Sequence, residues 1–160
     1  MRALLVLAFL CVLAGAAAAD ARPQLAKGYR HGKSLRLRIV EVDGAPVEVS
    51  TARAFRAMQR AAAADGIALR IVSGFRTFER QAELYRAWRQ GYGNRAARPG
   101  HSNHQAGRAL DLDLDGSVLA WLQANARRHG FHRTVRGEPW HWEFLGAPRR
   151  HARPAPPRRR

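Results

Sequence analysis

Carboxylates are scarce in this chain, and beyond Glu83 they occur in only two short segments. The late acids are Asp111, Asp113, Asp115, Glu138 and Glu143. Acids that only balance arginines on a solvated surface are expected to lie along helices near arginine, as Glu79 and Glu83 do. The late acids instead lie close to a histidine. Asp111, Asp113 and Asp115 follow His104, and Glu138 and Glu143 flank His141. This distribution predicts a chemical site where the two segments meet.

The residue types in these segments suit a hydrolytic zinc site. Such a site needs three imidazole or carboxylate ligands and leaves a fourth position for water, whose pKa the metal lowers towards neutrality. His104, Asp111 and His141 can supply the ligands, and Glu138 can act as the base that takes and returns the proton. Gly107 lets the chain between His104 and Asp111 bend so that both side chains converge.

Two other interpretations of the aspartates remain open. The run from Asp111 to Gly116 begins like a calcium-binding loop, but the twelfth position of that loop requires glutamate and is Leu122 here. The alternation of leucine and aspartate favours a strand whose other acids, Asp113 and Asp115, face water. Four further histidines are expected to be surface or packing residues: His31, His129, His132 and His151.

The position of Glu138 decides whether it can serve the same site as His141. On an ideal strand the two side chains would point to opposite faces. Glu138 precedes Pro139, and a residue before proline is conformationally restricted. We therefore expect Glu138 to lie in the turn before the strand, where its direction is free.

The N-terminus has the pattern of a secretory signal peptide. A basic start precedes an uncharged run from Ala3 to Ala19 that ends in small residues. The alternative is an uncleaved membrane anchor, but an anchor needs about 20 apolar residues and this run tapers into alanines. We predict cleavage after Ala19 and a periplasmic or secreted protein. The single cysteine, Cys11, lies in this run, which excludes a disulfide framework and a cysteine-rich zinc module.

The charge of the chain indicates an anionic partner. Lys+Arg number 28 against 12 Asp+Glu, a formal net charge of +16, although the skew towards arginine also fits genomic base composition. Nucleic acid, anionic lipid and anionic wall polymer all suit this charge. Export and the lack of an aromatic-plus-basic motif argue against nucleic acid. Residues 147–160 are predicted to be a disordered basic Pro/Arg-rich tail that binds anionic cell-envelope polymers.

Residues 34–146 are predicted to form one α+β domain, after an N-terminal arm at residues 20–33. A small antiparallel sheet with about three helices is expected, with the zinc site on the sheet and an adjacent loop. Strands are predicted at 35–39, 46–49, 67–72, 109–114 and 139–145. The first two are joined by a turn at Asp43-Gly44, and Pro46 belongs at a sheet edge. One helix is predicted to be capped by Ser50 or Thr51 and to run to Ala64. A second follows Thr77 and ends at Gly91, and a third is capped by Ser117 and ends near Gly130. Residues 91–107 read as a long functional loop.

Three motifs together resemble one family. They are Ser73-Gly-Phe-Arg-Thr77, the run from Ser102 to Asp111, and Glu138-Pro-Trp-His-Trp142. In this order they are similar to the motifs of VanY-type D-alanyl-D-alanine carboxypeptidases. That zinc peptidase group also contains VanX-type dipeptidases and phage L-alanyl-D-glutamate endolysins. The resemblance runs from about Leu35 to Phe144.

The resemblance implies one zinc ion held by His104, Asp111 and His141, with Glu138 as the catalytic base. It also implies that Arg76 engages the substrate and the developing oxyanion, a role that suits a permanently charged guanidinium.

Further positions follow from the same resemblance. Gln81 and Ser102 match residues that contact the peptide terminus. Trp140 and Trp142 either wall the site or belong to the core. His101 is at a variable position of the family pattern, and we assign it no role.

The resulting hypothesis is an exported, monomeric zinc carboxypeptidase that removes the terminal D-alanine of peptidoglycan stem peptides. Relatives differ among D,D-carboxypeptidase, L,D-carboxypeptidase, dipeptidase and endopeptidase activities, and these alternatives remain open. An alternative of another class is a non-catalytic basic protein that binds the cell wall. The intact set of ligands and base argues against it, because a decayed enzyme is expected to have lost at least one.

Overall fold

A computed structural model describes residues 22–146 of the chain. The predicted signal peptide at 1–19 and the predicted tail at 147–160 lie outside the described residues. Within residues 22–146 the fold is α+β, as predicted, with three α-helices and two small antiparallel sheets. No helix in this part of the chain is both long enough and apolar enough to cross a membrane.

The first sheet contains β1 (Gln24–Arg30), β2 (Lys33–Val42) and β3 (Ala45–Glu48), in that order. Asp43 and Gly44 form the turn between β2 and β3, and their φ angles of 53° and 78° are typical of a two-residue type I′ hairpin. Pro46 lies on the edge strand β3, as predicted.

Strand β1 corrects the prediction of an arm at residues 20–33. The strand pairs with β2 along its whole length. Its sequence shows no apolar alternation because it is an edge strand in which only Gly28 is buried. The backbone N–H of Tyr29 donates to Gln105 O at 2.9 Å, which joins β1 to the loop before the second sheet.

The second sheet contains β4 (Ile71–Ser73), β5 (Ala109–Leu112), β6 (Phe131–His132) and β7 (His141–Phe144). Its strands are antiparallel and are arranged in the order β4-β5-β7-β6. Three of these strands were predicted, with longer bounds. Asp113 and Asp115 follow β5 and are exposed, in agreement with the prediction that they face water.

The helices are α1 (Val49–Ala64), α2 (Phe78–Arg89) and α3 (Gly116–Asn125), and a 3-10 turn follows at Ala126–His129. Helix α2 follows Thr77 as predicted, and Thr77 caps it, because its hydroxyl accepts the N–H of Arg80 at 3.2 Å.

The predicted caps of the other two helices are wrong. Glu48 caps α1 through N–H groups of Ser50 and Thr51, and Asp115 caps α3 through the N–H of Val118. In both places a carboxylate takes the position, since it is a strong acceptor and its charge is stabilised at the positive end of the helix.

One hydrophobic cluster connects helices α1 and α3 to both sheets. From α1 it includes Phe55, Met58 and Ala62, all fully buried. Leu110 and Leu112 of β5 and Trp142 of β7 are also buried in it, so their neighbours on the opposite face are held in fixed positions.

Candidate active site

Two of the predicted ligands lie side by side on adjacent strands. Asp111 of β5 and His141 of β7 are direct cross-strand partners. Such partners have Cβ atoms about 5 Å apart, within reach of a shared ion. Asp111 Oδ1 lies 3.1 Å from His141 Nδ1.

The third predicted ligand, His104, comes from the loop before β5. The loop bends at Gly107, as predicted, with a φ of 71° that glycine adopts readily. Thr51 Oγ1 donates to Gly107 O at 2.7 Å and ties the loop to α1. A Cβ at position 107 would lie 2.7 Å from Glu48 Cβ, so a larger residue would displace the loop.

Three donor atoms thus converge. His104 Nε2 lies 3.2 Å from Asp111 Oδ1 and 3.3 Å from His141 Nδ1. All the ligand atoms of the group lie within 4.8 Å of one another. Bonds of about 2.0–2.1 Å at tetrahedral angles place neighbouring zinc ligands about 3.3 Å apart. The donor set and its spacing therefore fit a tetrahedral ion with a fourth position for water or substrate.

The second nitrogen of each histidine is held by an acceptor. His104 Nδ1 lies 2.7 Å from Gly74 O, which can only accept, so Nδ1 carries the proton and Nε2 keeps its lone pair. His141 Nε2 lies 3.2 Å from Glu143 Oε1, which leaves Nδ1 for a metal in the same way. Both rings are therefore oriented for metal binding before any ion is added.

Glu143 is a residue of this site that the sequence prediction did not include. Its side chain accepts hydrogen bonds from Asn103 Nδ2 at 2.7 Å and from Thr134 Oγ1, and it is 3% exposed. A signal was present in the sequence, because residues two apart on a strand face the same side and Glu143 follows His141 by two. Carboxylates in this position fix the ring of a ligand histidine and raise its basicity.

Burial and charge oppose each other at these groups. Burial works to lower the pKa of His141, but the carboxylates of Asp111 and Glu143 outweigh it and raise that pKa to about 9. Burial works to raise the pKa of Glu143, yet hydrogen bonds from His141, Thr134 and Asn103 lower it to about 2. The pKa of Asp111 is lowered as well, since hydrogen bonds from both histidines outweigh its burial. Two ionised carboxylates therefore flank His141 at neutral pH, and in the metal-free protein they stabilise its protonated ring.

Arg76 lies on the outer side of Asp111. Its Nη2 donates to Asp111 Oδ2, and its Nε donates to Ser73 Oγ at 3.0 Å. Asp111 thus presents one oxygen to the histidines and the other to the guanidinium. Burial lowers the pKa of Arg76 and the charge of Asp111 works against that shift. A guanidinium remains charged under such shifts.

Glu138 lies in the turn that precedes β7, as predicted. The N–H of His141 donates to Glu138 O at 3.2 Å and closes this turn. Glu138 Oε2 lies 4.0 Å from His141 Nδ1, beside the three donor atoms. The turn therefore brings the side chain round to the face on which His141 lies.

A cleft of about 670 Å³ opens over these residues. The predicted substrate-binding residues Arg76, Gln81 and Ser102 all line it, as do His101 and Trp140. Trp142 is instead buried in the core. Gln81 Nε2 donates to Ala97 O at 2.9 Å, and Gln81 Oε1 has no partner among the described residues. The structure thus collects the predicted site residues in one cleft, and their individual roles remain predictions.

Known proteins match this chain in both sequence and structure. A D-alanyl-D-alanine carboxypeptidase of Enterococcus faecalis is 35% identical over 118 residues, a match that covers 54% of this chain and 43% of that protein. The peptidoglycan L-alanyl-D-glutamate endopeptidase CwlK of Bacillus subtilis is 39% identical over 79 residues. This match covers 46% of this chain and 47% of CwlK. The chain therefore spans less than half the length of these curated relatives.

A solved structure of the vancomycin resistance D,D-pentapeptidase VanY in complex with Zn(II) superimposes with a TM-score of 0.59 at 28% identity, over 69% of this chain and 79% of that one. The LD-carboxypeptidase LdcB gives a TM-score of 0.55 at 29% identity, over 63% of this chain and 60% of LdcB. The family model VanY, D-alanyl-D-alanine carboxypeptidase, matches residues 45–147. The chain belongs to this VanY family of D-alanyl-D-alanine carboxypeptidases.

Proposed function

We propose that this protein is an exported zinc carboxypeptidase that removes the terminal D-alanine of peptidoglycan stem peptides. The observation that carries the proposal is the convergence of His104, Asp111 and His141 in one cleft with Glu138 and Arg76. Family membership and the relatives that act as D-alanyl-D-alanine carboxypeptidases support the same substrate class.

The metal would be one zinc ion held by His104 Nε2, Asp111 Oδ1 and His141 Nδ1. When bound, zinc supplies a Lewis acid and lowers the pKa of water towards neutrality. The solved VanY structure with Zn(II) supports this choice of metal.

Glu138 acts as the proton carrier. Its carboxylate takes a proton from the attacking water and returns it to the amine of the departing D-alanine, so that one group serves both halves of the hydrolysis. Its exposure to the cleft permits direct contact with water and with the scissile amide.

Arg76 and Gln81 orient the peptide. The guanidinium of Arg76 can donate to the substrate carbonyl oxygen as negative charge develops there, and to a carboxylate as a bidentate pair. Gln81 is 1% exposed and its Nε2 holds Ala97 O, so it supports the cleft wall that the peptide terminus contacts. Ser102 also lines the cleft and lies two residues before His104.

The test compares Glu138→Gln with Glu83→Gln, an equal change on the exposed surface of α2. We expect Glu138→Gln to lower the rate of D-alanine release from an acylated D-Ala-D-Ala peptide by about 10²–10⁴-fold while zinc content stays the same. Glu83→Gln should keep the parent rate. A full rate in Glu138→Gln would overturn the mechanism.

The bond that is cleaved is a separate part of the proposal. The similarity to CwlK raises an endopeptidase as the second candidate. Mass spectrometry of defined muropeptides after incubation with the zinc-loaded protein distinguishes the two, because a D,D-carboxypeptidase releases only the last residue. Binding to cell walls without any cleavage would support the non-catalytic alternative.

Export is supported by the composition of residues 1–19. Mass measurement of the protein recovered from cells should give a mature chain that begins at Asp20. A chain that retains the apolar run would point to the uncleaved anchor.

A further inference from the structure

We propose that the cleft contains a second binding region, lined by Arg95 and Arg98, that holds free carboxylates of an acidic peptide upstream of the scissile bond. This inference rests on the proposed function and specifies the substrate class of the same site. We call the segment 92–98 that carries both arginines the arginine loop.

The arginine loop runs back along helix α2. At one end the N–H of Tyr92 donates to Ala87 O at 2.8 Å, in the last turns of the helix. At the other end Ala97 O accepts from Gln81 Nε2 at 2.9 Å, in the first turns. Gln81 is 1% exposed, so this second attachment is a buried one. The loop is therefore fixed beside α2 at both ends.

The cleft extends well beyond the metal ligands. Gln81, Tyr85 and Trp88 lie on one face of α2 and all line it. Seven residues of α-helix rise about 10 Å, a distance that an extended peptide covers with about three residues. Because α2 begins two residues after Arg76, which contacts Asp111, its first turn lies at the metal end. The Trp88 end therefore lies about three peptide residues away from the scissile bond.

The cleft is lined by groups of both charges. Its acidic lining residues are Asp111 and Glu138, both at the metal end. Arg95 and Arg98 of the arginine loop also line it, and no carboxylate among residues 22–146 forms an ion pair with either. Because Ala97 is held at the first turns of α2, Arg98 lies nearer the metal end and Arg95 lies farther along the cleft. Guanidinium groups that lack an internal partner are suited to carboxylates, which they bind through two hydrogen bonds.

The other wall of this region is aromatic. The rings of Tyr85 and Trp88 lie 5.6 Å apart and line the same cleft. They offer an apolar surface for the peptide backbone and aliphatic side-chain carbons in the cleft that the arginines also line. Because this region and the metal ligands line one cleft, a carboxylate bound by the arginines is part of the same molecule as the scissile bond. The occupant is therefore an acidic peptide and not a separate polyanion.

The experiment uses two acetylated pentapeptides that end in D-Ala-D-Ala and differ only in glutamate or glutamine at positions two and three. With the zinc-loaded full chain we expect kcat/KM to be about fivefold or more higher for the acidic peptide, through a lower KM. The ratio of acidic to neutral kcat/KM should fall to about one in the Arg95→Gln/Arg98→Gln double variant. It should also fall at high salt, because both arginines are exposed.

The matched control is Arg86→Gln/Arg89→Gln, which removes the same charge from exposed positions of α2 that do not line the cleft. This variant should keep the preference for the acidic peptide. Equal kcat/KM for the two peptides in the parent protein, or an equal loss of preference in the control, would overturn the proposal.

Binding gives a readout that does not depend on turnover. Calorimetry with the zinc-loaded Glu138→Gln variant should show tighter binding of the acidic peptide, and this preference should also disappear in the arginine-loop variant. If neither peptide is hydrolysed but this binding preference is present, the proposed reaction fails and the binding region stands. Equal affinities for the two peptides would refute the binding region whatever the enzyme cleaves.

Discussion

Replacing Glu143 by glutamine should weaken metal binding although Glu143 is not a ligand. The substitution keeps the size of the side chain and removes its charge. Glu143 is 3% exposed, so water cannot take over its contact with His141 Nε2 at 3.2 Å. The glutamine can turn its amide nitrogen towards that atom, which would favour the wrong tautomer of His141.

The size of the effect follows from the contact that is lost. Partners of this kind typically contribute 10–100-fold to metal affinity, which corresponds to about 1.4–2.7 kcal/mol. Asn103 and Thr134 would keep part of their hydrogen bonding to a glutamine, so the fold itself should survive. We therefore expect zinc affinity to fall by 10–100-fold while the far-ultraviolet circular dichroism stays unchanged.

The assay is a competition for zinc with a chromophoric chelator, at a fixed pH near neutrality. Glu83→Gln, which lies on the exposed face of α2, is the matched control and should bind zinc like the parent protein. Glu143→Asp keeps the charge and should restore part of the affinity. If Glu143→Gln binds zinc within twofold of the parent, the reasoning about His141 is wrong.

Three further predictions concern stability. The pKa of His141 is raised from 6.5 to about 9 in the folded, metal-free protein. Protonated His141 therefore contributes about 3 kcal/mol to the free energy of unfolding below pH 6.5, and this contribution is lost as the pH rises through 9. Urea unfolding of the stripped protein at several pH values measures it, and no loss of stability over this range would contradict the prediction. In Gly28→Ala the new Cβ would lie 2.7 Å from Gln105 O. This contact should lower the free energy of unfolding by about 1–3 kcal/mol and should also lower zinc affinity. Gly116→Ala, which has open space around it, is the control and should change neither. Phe55→Ala, at a fully buried position, should cost about 3–5 kcal/mol in the same unfolding assay, and a cost below 1 kcal/mol would argue against the core described above.

The metal-binding group could be predicted because it depends on local spacing and on residue chemistry. His104 and Asp111 are seven residues apart with a glycine between them, and the turn before Pro139 frees the direction of Glu138. The meeting of these segments with His141 depends on the pairing of β5 with β7. Resemblance to a family supplied the grouping of His104, Asp111 and His141, since the spacing alone left other interpretations of the aspartates open.

Features that depend on distant contacts were not predictable in this way. Strand β1 is recognised only through its partner β2 and through the contact of Gly28 with the loop at Gln105. The hydrogen bonds that hold Glu143 in place come from Asn103 and Thr134, which lie 40 and 9 residues away in the chain. The carboxylate caps at Glu48 and Asp115 show that a stronger acceptor two or three residues earlier replaces a nearby hydroxyl as the cap.

The central claim is that a metal held by His104, Asp111 and His141 drives release of a terminal D-alanine. Its most direct test is mass spectrometry of one D-Ala-D-Ala pentapeptide after incubation with metal-stripped protein and with the same protein after zinc is restored. We expect D-alanine to be released only by the zinc-restored protein. Release by the stripped protein, or none after zinc has been shown to bind, would contradict it.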